Sequence, residues 1–141
     1  GCYLRSGFYR FVMTSCAPNV LIGFATLFSQ QDTEIDEGVY IGPQCNIGKC
    51  AIGKNTLLGS GVHIMSGKGQ HNFSDPEKPI KDQGGVFTKV SVGENCWLGN
   101  GALVMANIGR GSVVAAGSVV IDDVPAGVVV GGNPAKVLKK I

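Results

Sequence analysis

An aliphatic residue returns every six positions along most of this chain, and this period constrains the fold more than any other feature. Two steps are shortened, and one long interruption divides the series. The aliphatic positions are Ile35, Ile41, Ile47, Ile52, Leu58, Ile64, Val92, Leu98, Val104, Ile108, Val114 and Val120. A period of six matches neither the α-helix, with about 3.6 residues per turn, nor a long alternating strand. It matches a short strand followed by a turn, repeated many times.

A smaller residue stands two positions before most of these aliphatic residues. The small positions are Cys45, Cys50, Thr56, Val62, Cys96, Ala102, Ser112 and Ser118. Because strand side chains alternate between faces, residues two apart share a face, and we expect both to point inward. Glycine often follows the aliphatic residue, as at Gly42, Gly53 and Gly99, and we interpret it as a corner residue with positive φ. The pattern predicts an all-β fold, a three-sided parallel β-solenoid.

The five cysteines form no CxxC pair and no zinc-ligand spacing. Cys45, Cys50 and Cys96 occupy the small inward position, where a thiol is a compact apolar filler. We interpret these three as structural rather than nucleophilic, because a reactive thiol needs a partly exposed, electropositive setting. Cys2 and Cys16 lie outside the repeats and receive no interpretation. Unpaired cysteines predict a reduced, cytoplasmic setting.

Charge and hydropathy exclude two classes of partner. The 12 Lys and Arg residues exceed the 10 Asp and Glu residues by only two, so we expect no nucleic-acid partner. The stretch from Phe11 to Gln30 carries no charge and raises the alternative of a membrane segment. Pro18-Asn19, the scattered Ser, Thr and Cys residues and the missing flanking charges argue against it, so we predict no membrane span.

Residues 66–89 interrupt the repeat with two prolines, several charges and one of the two histidines, His71. A solenoid accepts an insertion only at a corner, where the chain can leave and return without breaking the stack. Long loops in compact proteins are usually functional, so we predict that this loop carries the site. The length of 141 residues predicts a single domain over 1–141. Because the chain begins with Gly1 rather than Met, we allow for residues missing upstream.

Several segments resemble the hexapeptide-repeat acyltransferases, whose fold is a left-handed parallel β-helix. The resemblance lies in "IGPQCNIG", "IGKNTLLGSGVHI" and "VSVGENCWLGNGALVMANIGRGSVVAAGSVV". The tail "DVPAGVVVGGNPAKVLKK", within residues 122–141, is similar to the segment that closes the helix in the maltose, galactoside and xenobiotic acetyltransferase branch. The loop "QHNFSDPEKPIKDQGG" is similar to sugar and capsular-polysaccharide O-acetyltransferases, including those that modify polysialic acid.

The resemblance implies acetyl-CoA as co-substrate, a saccharide acceptor, and a homotrimer with its sites between subunits. His71 matches the catalytic histidine of that family, and a histidine with an ordinary pKa of about 6.5 suits a general base; the alternative is a surface residue without a role. Phe73 and Asp75 of the same loop would line the acceptor pocket. A triad of His71, Ser74 and Asp75 is disfavoured because triad residues normally converge from separate segments. Asp75 and Pro76 more simply shape the loop, and a carboxylate or a backbone carbonyl would orient the imidazole.

Two further residues point outward by strand alternation. His63 lies between the inward Val62 and Ile64, and it either lines a substrate groove or is a solvated strand residue. Trp97 follows the inward Cys96, and an outward indole indicates either a wall of the acyl or acceptor pocket, shared with coenzyme A, or a subunit contact.

The tail carries the other predicted coenzyme A contacts. The resemblance adds Ala115 and the motif of Gly132, Asn133, Pro134 and Lys136. Gly131 and Gly132 permit close backbone approach, Asn133-Pro134 predicts a turn, and Lys136 is the predicted phosphate contact. Two more lysines of the same short segment, Lys139 and Lys140, either share that role or form a solvated basic cap.

We therefore predict an acetyl-CoA-dependent O-acetyltransferase that acts on a sugar hydroxyl with His71 as general base. One alternative keeps the fold and changes the acceptor to serine, an antibiotic or a nucleotide-sugar amine. Another is an inert scaffold, which would not need the loop. No metal is expected, because β-helical carbonic anhydrases, which share this fold, hold zinc with three histidines and this chain has two.

Overall fold

The computed structural model describes all 141 residues and begins with one α-helix, α1 (Cys2–Val12). The helix covers the open end of the solenoid, where the buried Ser6 Oγ donates to the carbonyl of Val20 at 2.7 Å. Arg5 Nε donates to the carbonyl of Ile22 at 3.1 Å. The all-β prediction holds for the solenoid, but it did not include this helix.

Short strands follow α1 and wind around three faces. They are β1 (Ser15–Cys16), β2 (Leu21–Ile22), β3 (Leu27–Phe28), β4 (Thr33–Ile35), β5 (Tyr40–Ile41), β6 (Asn46–Ile47), β7 (Cys50–Ile52), β8 (Leu57–Leu58), β9 (His63–Ile64), β10 (Val90–Val92), β11 (Trp97–Leu98), β12 (Leu103–Val104), β13 (Val113–Val114), β14 (Val119–Val120), β15 (Val128–Gly132) and β16 (Ala135–Lys140).

Each face of the solenoid is one sheet. Sheet A has the order β1-β4-β7-β10, sheet B has β2-β5-β8-β11-β13-β15-β16, and sheet C has β3-β6-β9-β12-β14. All neighbours pair in parallel except β15 and β16, which form a closing antiparallel hairpin with Asn133 and Pro134 in its turn. The predicted three-sided parallel solenoid is confirmed.

The core contains the residues that the repeat predicts. All twelve aliphatic positions and all eight small positions named above are buried. The buried hydroxyls bond across coils, since Thr56 Oγ1 donates to the Gly93 carbonyl at 2.7 Å and Ser112 Oγ donates to the Pro125 carbonyl at 2.8 Å. Burial raises the pKa of the Cys50 thiol to about 12, which keeps it protonated and inert.

Glycine is required at the corner positions for a different reason from the one that the sequence predicted. Gly42, Gly53 and Gly99 do not have positive φ, whereas the residues two positions later, such as Gln44 and Asn55, do. A Cβ at Gly53 would lie 2.6 Å from the backbone nitrogen of the next coil, and a Cβ at Gly99 would meet backbone at 2.5 Å. Close approach between coils therefore requires these glycines.

The solenoid begins earlier than the recognised repeats. Strands β1, β2 and β3 form a first coil before Ile35, and Val20, Ile22 and Thr26 of this coil are buried. The uncharged stretch from Phe11 to Gln30 is the end of α1 followed by this coil. The chain has no helix with the length and apolarity needed to cross a bilayer.

The interruption lies between β9 in sheet C and β10 in sheet A. It contains one short 3-10 helix, Ile80–Asp82, and its residues from 71 to 80 are all exposed. The loop therefore leaves the solenoid at the corner between sheets A and C, as an insertion at a corner predicts.

Candidate active site

The inserted loop is built from two arms that bond to each other. The amide of Thr88 donates to the Ser66 carbonyl at 2.9 Å, and the amide of Val86 donates to the Gly69 carbonyl at 2.7 Å. Farther from the solenoid, the amide of Asn72 donates to the Gly84 carbonyl at 2.8 Å. His71 lies on the outgoing arm between the last two of these contacts.

The side chains near the loop tip divide between solvent and the loop itself. His71 and Phe73 are exposed, and Phe73 has 77% of its surface accessible. Asp75 is engaged locally, because its Oδ1 accepts from the amide of Glu77 at 3.0 Å. This contact agrees with the interpretation that Asp75 shapes the loop.

An ion-pair cluster anchors the return arm to sheet A. Lys89 Nζ lies 2.7 Å from Asp32 Oδ1 and 2.6 Å from Glu34 Oε2, and Lys49 Nζ lies 3.5 Å from Asp32 Oδ2. The hydrogen bond from Lys89 lowers the pKa of Asp32, and the hydrogen bond to Asp32 raises the pKa of Lys89. Both groups therefore stay charged around neutral pH, and the base of the loop remains paired.

A groove on the outer side of sheet C brings His63 beside the loop. Its volume is about 240 Å³, and its lining residues are Ser29, Asn46, Gly48, His63, Ile64, Met65, Ser66 and Gln70. Gln70 directly precedes His71. The predicted outward direction of His63 is confirmed, and His63 lies in the lining of this groove.

Sequence reasoning missed Asn46 and Gln70 as groove residues. Asn46 occupies the outward position of β6 and pairs in register with His63 of β9, so the two side chains are neighbours on one face. The signal was present in the sequence, because Asn46 directly precedes an inward aliphatic residue just as His63 does.

A second cavity lies on the outer side of sheet B and contains the predicted Trp97 and Ala115. Its volume is about 400 Å³, and its lining residues are Trp97, Gly99, Asn100, Val113, Val114, Ala115 and Ala116. Trp97 has 54% of its surface exposed, which confirms the predicted outward direction. The lining is mostly apolar, and the indole forms one wall.

The closing hairpin lies beside this second cavity. A Cβ at Gly131 would lie 3.1 Å from the Cβ of Ala115, so Gly131 is the tail glycine that permits close approach there. Lys136 pairs in register with Gly131, and its side chain is exposed. Gly132 lies at the end of β15, where its amide donates to Ser118 Oγ at 3.2 Å. The turn residues Asn133 and Pro134 are exposed.

The loop and the Trp97 cavity lie on opposite sides of one chain. His71 belongs to an insertion at the corner between sheets A and C, and in a three-sided prism this corner is opposite sheet B, which carries Trp97. The groove beside the loop and the Trp97 cavity share no lining residue. One chain therefore does not bring His71 and Trp97 together.

The chain contains no group of three or more His, Cys, Asp or Glu side chains arranged to hold a metal ion.

No family model matches the sequence. Curated relatives do match. The chain is 32% identical over 125 residues to the putative lipopolysaccharide biosynthesis O-acetyl transferase WbbJ of Escherichia coli K12, covering 84% of this chain and 62% of that protein. It is 32% identical over 141 residues to the galactoside O-acetyltransferase of Lactococcus lactis, covering 82% of this chain and 66% of that protein. It is 44% identical over 80 residues to a 2,3,4,5-tetrahydropyridine-2,6-dicarboxylate N-acetyltransferase of Clostridium perfringens, covering 57% of this chain and 31% of that protein.

Solved structures share the fold. A maltose O-acetyltransferase from Clostridium difficile 630 superposes with a TM-score of 0.86 at 26% identity, covering 97% of this chain and 74% of that one. A galactoside acetyltransferase in complex with coenzyme A superposes with a TM-score of 0.72 at 21% identity, covering 99% of this chain and 80% of that one. The chain spans between 31% and 66% of the length of the three curated relatives above.

Proposed function

The chain belongs to the hexapeptide-repeat acetyltransferases, with their left-handed β-helix, and from this premise we propose that it transfers an acetyl group from acetyl-CoA to a hydroxyl of a saccharide. The observation that carries the proposal is the exposed His71 on a loop whose two arms hydrogen-bond to each other. This loop lies next to a groove lined by His63 and Asn46. The two O-acetyltransferase relatives support oxygen as the acceptor atom.

In this mechanism the imidazole of His71 acts as general base. It takes the proton of the acceptor hydroxyl as the acceptor oxygen bonds to the acetyl carbonyl carbon, and a backbone N–H stabilises the negative charge that forms on the carbonyl oxygen. The bond from that carbon to the sulfur then breaks, and the imidazolium returns the proton to the leaving sulfur. The step is direct transfer, so it needs no nucleophilic side chain and no metal.

The residues around the Trp97 cavity are suited to bind coenzyme A. The cavity is mostly apolar, and the close contact of Gly131 with Ala115 brings the closing hairpin to its edge. Lys136 lies on the strand that pairs with Gly131, where an exposed ammonium group would offer charge-assisted hydrogen bonds to phosphate. We assign Trp97, Ala115, Gly132, Asn133, Pro134 and Lys136 to the coenzyme, and we add Gly131.

We further propose a homotrimer whose sites lie between subunits. The support is geometric: His71 and Trp97 lie on opposite sides of one prism, so a complete site needs the loop of one chain and sheet B of another. The outer side of sheet B also carries a row of partly exposed apolar residues in register. They are Leu21, Tyr40 and Leu57, each between 42% and 44% exposed. Such a row is suited to contact with a second chain.

Trp97→Ala is expected to lower kcat/KM by about tenfold to 100-fold and to leave the trimer intact, because the indole forms a cavity wall and contributes nothing to the core. Steady-state kinetics and sedimentation of the same sample check this. Leu57→Ala is the comparison variant: Leu57 is the register neighbour of Trp97 but lies outside the cavity lining and in the proposed contact row, so its loss should weaken the trimer and leave the kinetics of the surviving trimers unchanged. Dissociated chains with normal kinetics in the surviving trimers would assign Trp97 to subunit packing instead.

Lys136→Ala is expected to raise the KM for acetyl-CoA by about tenfold and to leave the acceptor KM unchanged, because a charge-assisted contact to phosphate contributes about 1.5–3 kcal/mol. The measurement compares acetyl-CoA with acetyl-dephospho-CoA, which lacks the 3′-phosphate. The wild type should prefer the complete coenzyme, and the variant should lose that preference. Lys139→Ala is the control from the same strand; an equal effect there would mean that the basic tail acts only through its overall charge.

The acceptor is tested by thiol release from acetyl-CoA with a panel of saccharides, serine and nucleotide-sugar amines. Turnover on saccharide hydroxyls, including sialic acid polymers, supports the proposal. The N-acetyltransferase relative supports the second candidate, an amine acceptor, and turnover only on amines would favour it. No turnover on any acceptor would favour an inert solenoid.

A further inference from the structure

The return arm of the loop holds the backbone around His71 from both sides, and one side chain organises that arm. We propose that Gln83 is a positioning residue, which together with Gly85 fixes the backbone that carries the His71 imidazole. The inference rests on the proposed role of His71 as general base. Gln83 is half-buried within the loop, and nothing in the hexad pattern distinguishes it.

The carboxamide of Gln83 uses both its donors and its acceptor on the loop backbone. Its Nε2 donates to the carbonyl of Asp75 at 2.8 Å and to the carbonyl of Lys78 at 2.7 Å. Its Oε1 accepts from the amide of Asp75 at 3.1 Å. These three bonds tie the loop tip to the return arm across eight residues of sequence.

The return arm in turn fixes the residues next to His71. The carbonyl of Gln83 accepts from Asn72 Nδ2 at 3.2 Å, and the carbonyl of Gly84 accepts from the Asn72 amide at 2.8 Å. On the other side, Gly85 packs so closely that a Cβ there would overlap the Gln70 carbonyl and lie 2.8 Å from the His71 amide nitrogen. The position of the His71 backbone therefore depends on the path of residues 83–85.

None of the three acidic side chains of the loop, Asp75, Glu77 and Asp82, bonds to His71 and replaces this support. The Oδ1 of Asp75 accepts from the Glu77 amide, and the carboxylate of Asp82 pairs with Lys81. The imidazole of His71 makes no hydrogen bond to another residue of the chain, whereas its neighbour Asn72 is held on both backbone and side chain. The backbone is therefore the structural device that positions the base, and Gln83 is the side chain that braces it.

Gln83→Ala is expected to lower kcat by about tenfold to 100-fold, because small misplacements of a catalytic group cost rates of that order. The KM for acetyl-CoA should not change, since the predicted coenzyme contacts lie on sheet B. Gln83→Glu keeps the acceptor but loses both donors and sets a carboxylate against two carbonyls, so it should behave like the alanine variant. Gly85→Ala should also lower kcat, by pushing on the His71 backbone.

Lys78→Ala is the matched control. It removes an exposed side chain of the same loop and keeps the carbonyl that Gln83 binds, so its kinetics should match those of the wild type. Hydrogen exchange of the full chain gives a readout that does not depend on catalysis. The Asn72, Asp75 and Val86 amides should exchange faster in Gln83→Ala, while amides of the solenoid core and the melting temperature stay unchanged.

Loss of loop protection in Gln83→Ala with kcat within about twofold of the wild type would overturn the positioning role, since a misplaced base should cost more than that. Unchanged protection would overturn it too, because the three hydrogen bonds of the Gln83 carboxamide would then not order the loop. His71→Ala is measured beside these variants: if that protein keeps its activity, the assignment of the base fails, whatever the exchange data show about Gln83.

Discussion

His71→Ala is expected to lower kcat for acetyl transfer by about 10²- to 10⁴-fold, the usual contribution of a general base. The melting temperature should stay at the wild-type value, because the side chain is exposed and makes no hydrogen bond to the chain. The measurement is thiol release at saturating acetyl-CoA and acceptor. Sedimentation and circular dichroism of the same sample show whether assembly and fold are kept.

His63→Ala is the matched control for this experiment, since it removes the other exposed histidine of the chain. His63 lines the groove beside the loop, so its loss should raise the acceptor KM more than it lowers kcat. A kcat near the wild-type value in His71→Ala would remove the base from the mechanism. A large kcat loss in His63→Ala alone would move that role to His63.

The solenoid could be predicted because one physical rule repeats at every coil. Thr56 and Leu58 are an inward pair of a small and an aliphatic residue. The same kind of pair recurs as Cys96 and Leu98, and both pairs are buried. Period and alternation are enough to place such residues, since the backbone path is the same in every coil. The first coil escaped recognition because its second inward pair, Thr26 and Phe28, ends in an aromatic residue where the other coils have an aliphatic one.

The loop could not be predicted beyond its existence and its histidine, because its structure does not repeat. Its path depends on single contacts, such as those of Gln83 with the backbone of Asp75 and Lys78. No sequence period predicts a carboxamide that hydrogen-bonds to the backbone of a residue eight positions away. The helix α1 was missed although Leu4, Phe8 and Phe11 recur at the helical intervals of four and three, because the prediction followed only the period of six; in the structure this apolar face is exposed.

The face on which each site residue lies could have been predicted by counting strands along the sequence. Three hexads make one coil, so the loop after β9 in sheet C and Trp97 on β11 in sheet B can be assigned to faces by counting strands. The count puts His71 and Trp97 on opposite sides of the prism. In the proposed trimer, the surface that completes the site depends on how separate chains pack, so no local motif encodes it.

The glycines after the aliphatic residues lead to the largest expected stability effect. Gly53 donates its amide to the Val92 carbonyl at 2.8 Å, and a Cβ on it would lie 2.6 Å from the Glu94 backbone nitrogen. Both contacts involve backbone, which cannot rotate away as a side chain can. Gly53→Ala must therefore separate two coils and weaken the ladder between them.

We expect Gly53→Ala to lower the free energy of unfolding by about 3 kcal/mol, the upper end of the usual cost of overpacking. Gly61→Asn is the control, because Gly61 has φ of +67° with nothing within 4 Å of where a Cβ would lie, and Asn55 and Asn95 adopt positive φ at equivalent corners. Urea unfolding at one fixed protein concentration compares the two variants. If Gly61→Asn were the less stable of the two, positive φ rather than the spacing between coils would be what the glycines of this solenoid supply.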